Sequence, residues 1–187
     1  MISELDFTKF DDLDGEKKYN FIKKTVIVAE KNPNSVYPFF DKILDLLNSK
    51  KDVFRWNAIK IIGNLATADK DNKIESLLPT LFNMFKSGNI ITSKNLIDAL
   101  VKIAIAQKHN TDKIVEALIK IDTYNYDSLE HENIITGRAI TALTALFPHS
   151  SMKDEIKAMA VKHIKRGRPD ALKRSEELLK KLEESKN

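Results

Sequence analysis

One nine-residue pattern recurs along this chain: NFIKKTVIV from Asn20, NAIKIIGNL from Asn57 and NLIDALVKI from Asn95, then more loosely RAITALTAL from Arg138 and RSEELLKKL from Arg174. The starts lie 37, 38, 43 and 36 residues apart. The third, sixth and ninth positions read Ile22/Thr25/Val28, Ile59/Ile62/Leu65, Ile97/Leu100/Ile103, Ile140/Leu143/Leu146 and Glu176/Leu179/Leu182. With the apolar positions beside them they make one broad face of a helix. A unit of this size cannot bury that face alone, so neighbouring units must stack to make a core.

A second helical stretch precedes each of the later ones. SVYPFFDKILDLLNS and NKIESLLPTLFNMFKSG match at a 38-residue offset, pairing Phe39 with Leu77, Ile43 with Leu81 and Leu47 with Phe85. TDKIVEALIKID and SSMKDEIKAMAVKHIKRG take the equivalent places further on. Ser35 and Thr111 are expected as N-caps, and Ser151 with Asp154 as a capping box. Gly88 and Gly167 stand where helices stop, and Pro38 and Pro169 at first-turn positions. The chain is thus expected to be all-α and a single repeat domain over 1–187. Residues 1–13 would be an acidic N-terminal segment, 14–32 an N-terminal capping helix and 150–187 a basic C-terminal capping repeat.

Composition narrows the function classes. With 42% hydrophobic and 31% charged residues the chain should fold, and only five Gly and five Pro argue against an all-β protein. There is no apolar run of membrane-spanning length, and the N-terminus lacks the order of a signal peptide, so a cytoplasmic location is expected. The absence of cysteine removes disulfides, thiolate zinc sites and thiol nucleophiles. His109, His131, His149 and His163 are scattered without HExxH spacing, and no phosphate-binding Gly loop or GxSxG elbow is present. No metal, cofactor or catalytic residue is expected.

The period, the paired helices and the stretch KKDVFRWNAIKIIGNLA resemble HEAT repeats, with Asp52 and Arg55 similar to the Asp and Arg that such repeats place at the turn and second helix. The stretch IIGNLATAD also resembles the groove-lining helix of armadillo repeats. The resemblance implies a right-handed α-solenoid of about four to five stacked hairpins whose second helices line a concave surface. On that surface would stand Asn20, Asn57, Lys60, Asn64, Asn95, Asp98, Lys102, Arg138 and Arg174, with Trp56 on its flank. Asn20, Asn57, Asn95, Arg138 and Arg174 would form a ladder with one rung per repeat. An amide offers donors and an acceptor, so stacked amides can pair with the backbone of an extended peptide. This favours a non-enzymatic scaffold binding a protein or peptide, with the insertion DTYNYDSLEHEN, residues 122–133, as a second candidate surface.

The stretch IKRGRPDALKR, residues 164–174, supports a different reading. Its Arg-Gly-Arg-Pro core resembles an AT-hook, and Arg166, Arg168 and Lys173, with Arg174, could make a basic patch for weak nucleic-acid binding. The same residues read as a helix corner, with Gly167 ending one helix, Pro169 beginning the next and Asp170 in its acidic first turn. A HEAT-like DNA glycosylase, with Asp98 and Trp56 in its site, is a further alternative, and a self-associating structural subunit another. Residues 1–16 carry six acids against one Lys, whereas residues 151–187 carry eleven bases against seven acids. That asymmetry favours head-to-tail contact between copies or a polyanion at the C-terminal end as candidate partners.

Overall fold

The computed structural model describes residue 5 and residues 7–184. Among them every regular element is helical and no strand occurs. The chain clusters into two compact units, one up to Ser76 and one from Leu77 on.

In the first unit a 3-10 turn, Phe7–Lys9, precedes α1 (Gly15–Lys31), α2 (Pro33–Val36), α3 (Phe40–Leu47) and α4 (Asp52–Leu65). Helix α1 packs along α4, and α3 packs on α4 from another side. The apolar pattern explains why: Ile22 and Val28 of α1, Ile43 and Leu47 of α3, and Ile59, Ile62 and Leu65 of α4 are all buried. Thr25, the polar member of its triplet, is also buried, and its hydroxyl donates to Phe21 O at 2.9 Å. The helix expected from Ser35 instead starts at Pro33, with Asn32 as N-cap and the Ser35 hydroxyl donating back to Asn32 O. It is interrupted by a 3-10 turn at Tyr37–Phe39, because Pro38 supplies no N–H to continue the α-helical ladder.

The acidic segment before α1 is held down by aromatic side chains. Phe7 stacks on Phe39 at 4.1 Å between ring centroids and meets Phe21 edge-on at 5.1 Å. Phe10 also packs on Phe21, and both Phe7 and Phe10 are buried.

Helix α5 (Lys73–Met84) begins in the first unit and continues into the second. The second unit then contains α6 (Ile90–Ala106), α7 (Thr111–Ile119), α8 (Leu129–Leu146), α9 (Lys153–Arg166) and α10 (Pro169–Glu184). Helix α6 packs on α8 and α8 on α10, while α7 packs on α9 and each of these also touches its sequence neighbours. The second unit is therefore two layers, α6–α8–α10 over α7–α9. The α6 and α8 triplets are buried as the pattern predicts.

In α10 the register differs from expectation. Ala171, Ser175 and Leu178 are buried, whereas Glu176 is exposed and Leu179 and Leu182 are half-buried. Small residues take the inner positions because α10 approaches α8 closely at Gly137, where an added Cβ would lie 1.9 Å from Asp170 Oδ2.

Gly88 and Gly167 end helical stretches in the left-handed region, at φ +66° and +67°, as expected from their positions. Pro169 opens α10, so residues 164–174 form a helix corner. Two expected caps differ: Asn110, not Thr111, is the N-cap of α7, and Met152 precedes α9. The Ser150 and Ser151 hydroxyls are taken instead by the Asp112 carboxylate, at 2.6 and 2.5 Å. None of the described helices is long and apolar enough to cross a membrane.

Candidate partner-binding face

The α6–α8–α10 layer leaves one narrow stripe of α6 and α8 uncovered. On α6 it runs through Ile91, Asn95, Asp98, Lys102 and Ile105; on α8 through Ile134, Arg138, Thr141 and Ala145. Successive 100° steps keep the α6 set within roughly 80° of arc. Arg138 Nη2 donates to both carboxylate oxygens of Asp98, at 2.7 and 2.5 Å, and so ties the two stripes together. Ile91 and Ile105, absent from the residues expected on this face, are 43% and 53% exposed. Their signal is in the sequence: Ile91 lies one turn before Asn95 and Ile105 one turn after Lys102 on the same helical stripe. On α10, Arg174 reaches Glu177 at 3.0 Å and Asp170 at 3.9 Å, and Lys181 lies exposed beyond.

The expected residues of the first unit separate into two groups. Asn20 and Lys60 are exposed, and Trp56 is half-buried. Asn57 is buried, and its carboxamide donates to Val53 O one turn back in its own helix at 2.7 Å. One of its two amide donors is thus engaged within its own helix, and little of Asn57 is exposed to a peptide. The Asn64 carboxamide donates to Val26 O at 3.2 Å and so links α4 to α1. Arg55 donates to Ser49 O at 2.9 Å and pairs with Asp52, closing the turn before α4.

The basic corner has internal partners. Lys162, His163 and Arg166 of α9 converge on Asp122 Oδ2 at 2.6, 3.0 and 2.9 Å, and the Asp122 side chain is 1% exposed. Arg168 meets Glu132 Oε1 at 2.6 Å, and Arg166 approaches the same oxygen at 3.9 Å. Lys173 is exposed. The 122–133 insertion is thereby pinned to the corner, and its Asn133 Oδ1 accepts from Ala171 N in the first turn of α10. Burial works against the charged form of Asp122, but the hydrogen bonds and charges of His163 and Lys162 outweigh it and hold the carboxyl well below the usual range.

Tyr124 of the insertion stacks against Phe85 at 6.1 Å. The Tyr126 hydroxyl is buried, and that burial pushes the phenol up to about 12. Asp122, Glu132 and Asn133 lie in the insertion expected as a second candidate surface, whereas Lys162 and His163 belong to no expected site. Their only sequence signal is that the insertion, holding two of the acids, lengthens one repeat interval to 43 residues.

Among the described residues no group of three or more His, Asp or Glu is placed to hold a metal ion. No protein-family profile, curated protein or solved structure matches this chain.

Proposed function

We propose that this chain is a non-enzymatic interaction module, a HEAT-like α-solenoid scaffold that binds a protein or an extended peptide on the face of its second helices. One observation carries the reading. In the α6–α8–α10 layer, large apolar side chains and a cross-helix ion pair share one outward stripe. Exposed isoleucines grouped with polar side chains that can fix orientation mark an interaction surface. Asn95, Asp98, Lys102 and Arg138 are among its polar residues, and Arg174 of the neighbouring α10 joins them in this reading. Asn20, Trp56, Lys60 and Asn64 take the equivalent places of the sequence repeat within the first unit. The nucleic-acid reading has less support, because Arg166 and Arg168 are engaged by Asp122 and Glu132.

The test is selection from a phage-displayed random peptide library against the full chain. Selected peptides are expected to lose binding to the Arg138→Glu variant and to keep it with Lys113→Glu, on the other layer. Failure to enrich any peptide, or peptides indifferent to Arg138, would overturn the proposal.

A further inference from the structure

The basic corner between α9 and α10 has its cations taken by two acids of the 122–133 insertion. Lys162, His163 and Arg166 meet Asp122 Oδ2 at 2.6, 3.0 and 2.9 Å, and Arg168 meets Glu132 Oε1 at 2.6 Å. Arg166 Nη1 also lies 3.9 Å from Glu132 Oε1, so one guanidinium nitrogen bridges the two acidic oxygens. Guanidinium groups bind phosphate and carboxylate oxygens in the same way. Two acidic oxygens bridged like this imitate neighbouring phosphates of one nucleic-acid strand. Lys165 of α9 and Lys173 of α10 are exposed within the same stretch and are not covered by the insertion.

The pairing that withholds these cations is reversible on two counts. The Lys162, Arg166 and Arg168 side chains remain 46%, 39% and 31% exposed, so a competing anion reaches them from solvent. Asp122 Oδ1 and His163 Nδ1 are buried without a hydrogen-bond partner among the described residues, a desolvation cost that opening the contact returns. We propose that Asp122 and Glu132 form an autoinhibitory strap over a site for the phosphate backbone of nucleic acid, built from Lys162, Arg166 and Arg168 with Lys165 and Lys173 beside them. This second site goes beyond the peptide-binding reading and does not depend on it. A free carboxylate offers the cations nothing that the tethered acids do not supply at higher effective concentration. A nucleic-acid strand engages several cations at once and releases counterions with each contact, so it is the competitor able to displace the strap.

The probe is a fluorescein-labelled mixed-sequence DNA duplex, titrated with the full chain at low and physiological salt. Glu132→Gln should bind it about threefold more tightly than the wild type, and Asp122→Asn/Glu132→Gln roughly tenfold or more. Both gains should shrink steeply as salt rises. Adding Arg166→Ala/Arg168→Ala should abolish them. Glu116→Gln removes the same charge from an exposed pair with Lys120 on α7, and it should leave binding unchanged. Glu132 is not deeply buried, so Glu132→Gln tests the proposal by itself if the double variant fails to fold. Four results would each overturn the proposal. One is a Glu132→Gln affinity no higher than that of Glu116→Gln, and another is a gain that survives loss of both arginines. The third is a wild type that binds as tightly as the Glu132→Gln variant. The last is a labelled polyglutamate peptide that binds Glu132→Gln as tightly as the duplex does, which would make the corner a site for acidic proteins.

Discussion

His163 Nε2 lies 3.0 Å from Asp122 Oδ2, and the two side chains, 41 residues apart in sequence, are only 2% and 1% exposed. An ionised carboxylate only accepts, so Nε2 carries the proton and donates. Lys162 and Arg166 reach the same oxygen from the solvent side. The contact fastens the insertion after α7 to the end of α9, and it accounts for basic residues that the sequence alone left open to other uses.

Replacing Asp122 with alanine leaves a buried imidazole and two cations without their carboxylate. The expected cost is about 3 kcal/mol, since losing one partner of a buried pair strands the other while the exposed cations regain water. Urea unfolding measures it, and a change below about 0.5 kcal/mol, the range of an ordinary surface substitution, would contradict the arrangement.

The same carboxylate carries a pH dependence. Its folded value is depressed, so its stabilisation is complete above the ordinary aspartate value near 3.8 and is lost as pH falls toward the folded value. The stability difference between the wild type and Asp122→Asn should therefore be flat from neutral pH to about pH 5 and shrink below about pH 4. Paired denaturation curves across that range check it. A difference that grew on acidification would contradict the sign.

Arg166→Ala/Arg168→Ala should act on stability more than on nucleic-acid binding. Both guanidiniums are partly exposed, so their loss is expected to cost roughly 1 to 2 kcal/mol together. Anisotropy of a labelled mixed-sequence duplex is expected to show little binding at physiological salt and little change in the double variant. Steep salt-dependent binding that the double variant abolishes would instead support the corner as a phosphate-binding surface.

Gly137→Ala sets helix propensity against a close crossing. Alanine favours the α8 interior by about 1 kcal/mol. Its Cβ would meet Asp170 Oδ2 at 1.9 Å and the Asp170 carbonyl carbon at 3.2 Å. The side chain can swing away but the α10 backbone has less freedom, so a net loss of about 1 to 2 kcal/mol is expected. Adding Asp170→Ala should recover part of it, giving a coupling that a thermal-unfolding double-mutant cycle detects. Full additivity would show that the crossing is looser.

Phe7→Ala removes a buried ring stacked on Phe39, at an expected cost of about 3 kcal/mol. Calorimetry of the full chain tests it. No change in Tm would mean that the segment before α1 does not contribute to the core of the first unit. The sequence marked these residues by their acids, and Phe7 and Phe10 stand outside the repeat, so periodicity gave no reason to place them inside.

Local pattern determined the helices themselves, the inner triplets of α1, α4, α6 and α8, the stops at Gly88 and Gly167 and the corner between Gly167 and Pro169. Each of these depends on interactions within a few residues: side-chain direction repeats every 3.6 residues, a left-handed stop wants glycine, and a first turn tolerates proline. Tertiary structure alone decided the rest. Asn57 and Asn95 share a place in the repeat, yet one is buried and bonded to its own helix while the other is half-exposed. The inner positions of α10 moved to Ala171, Ser175 and Leu178 because Gly137 lets α8 come close. Arg166 and Arg168 acquired partners, Asp122 and Glu132, that lie 44 and 36 residues earlier in the chain. Such pairings depend on how one hairpin is set against the next, and a short-range repeat contains no information about that offset.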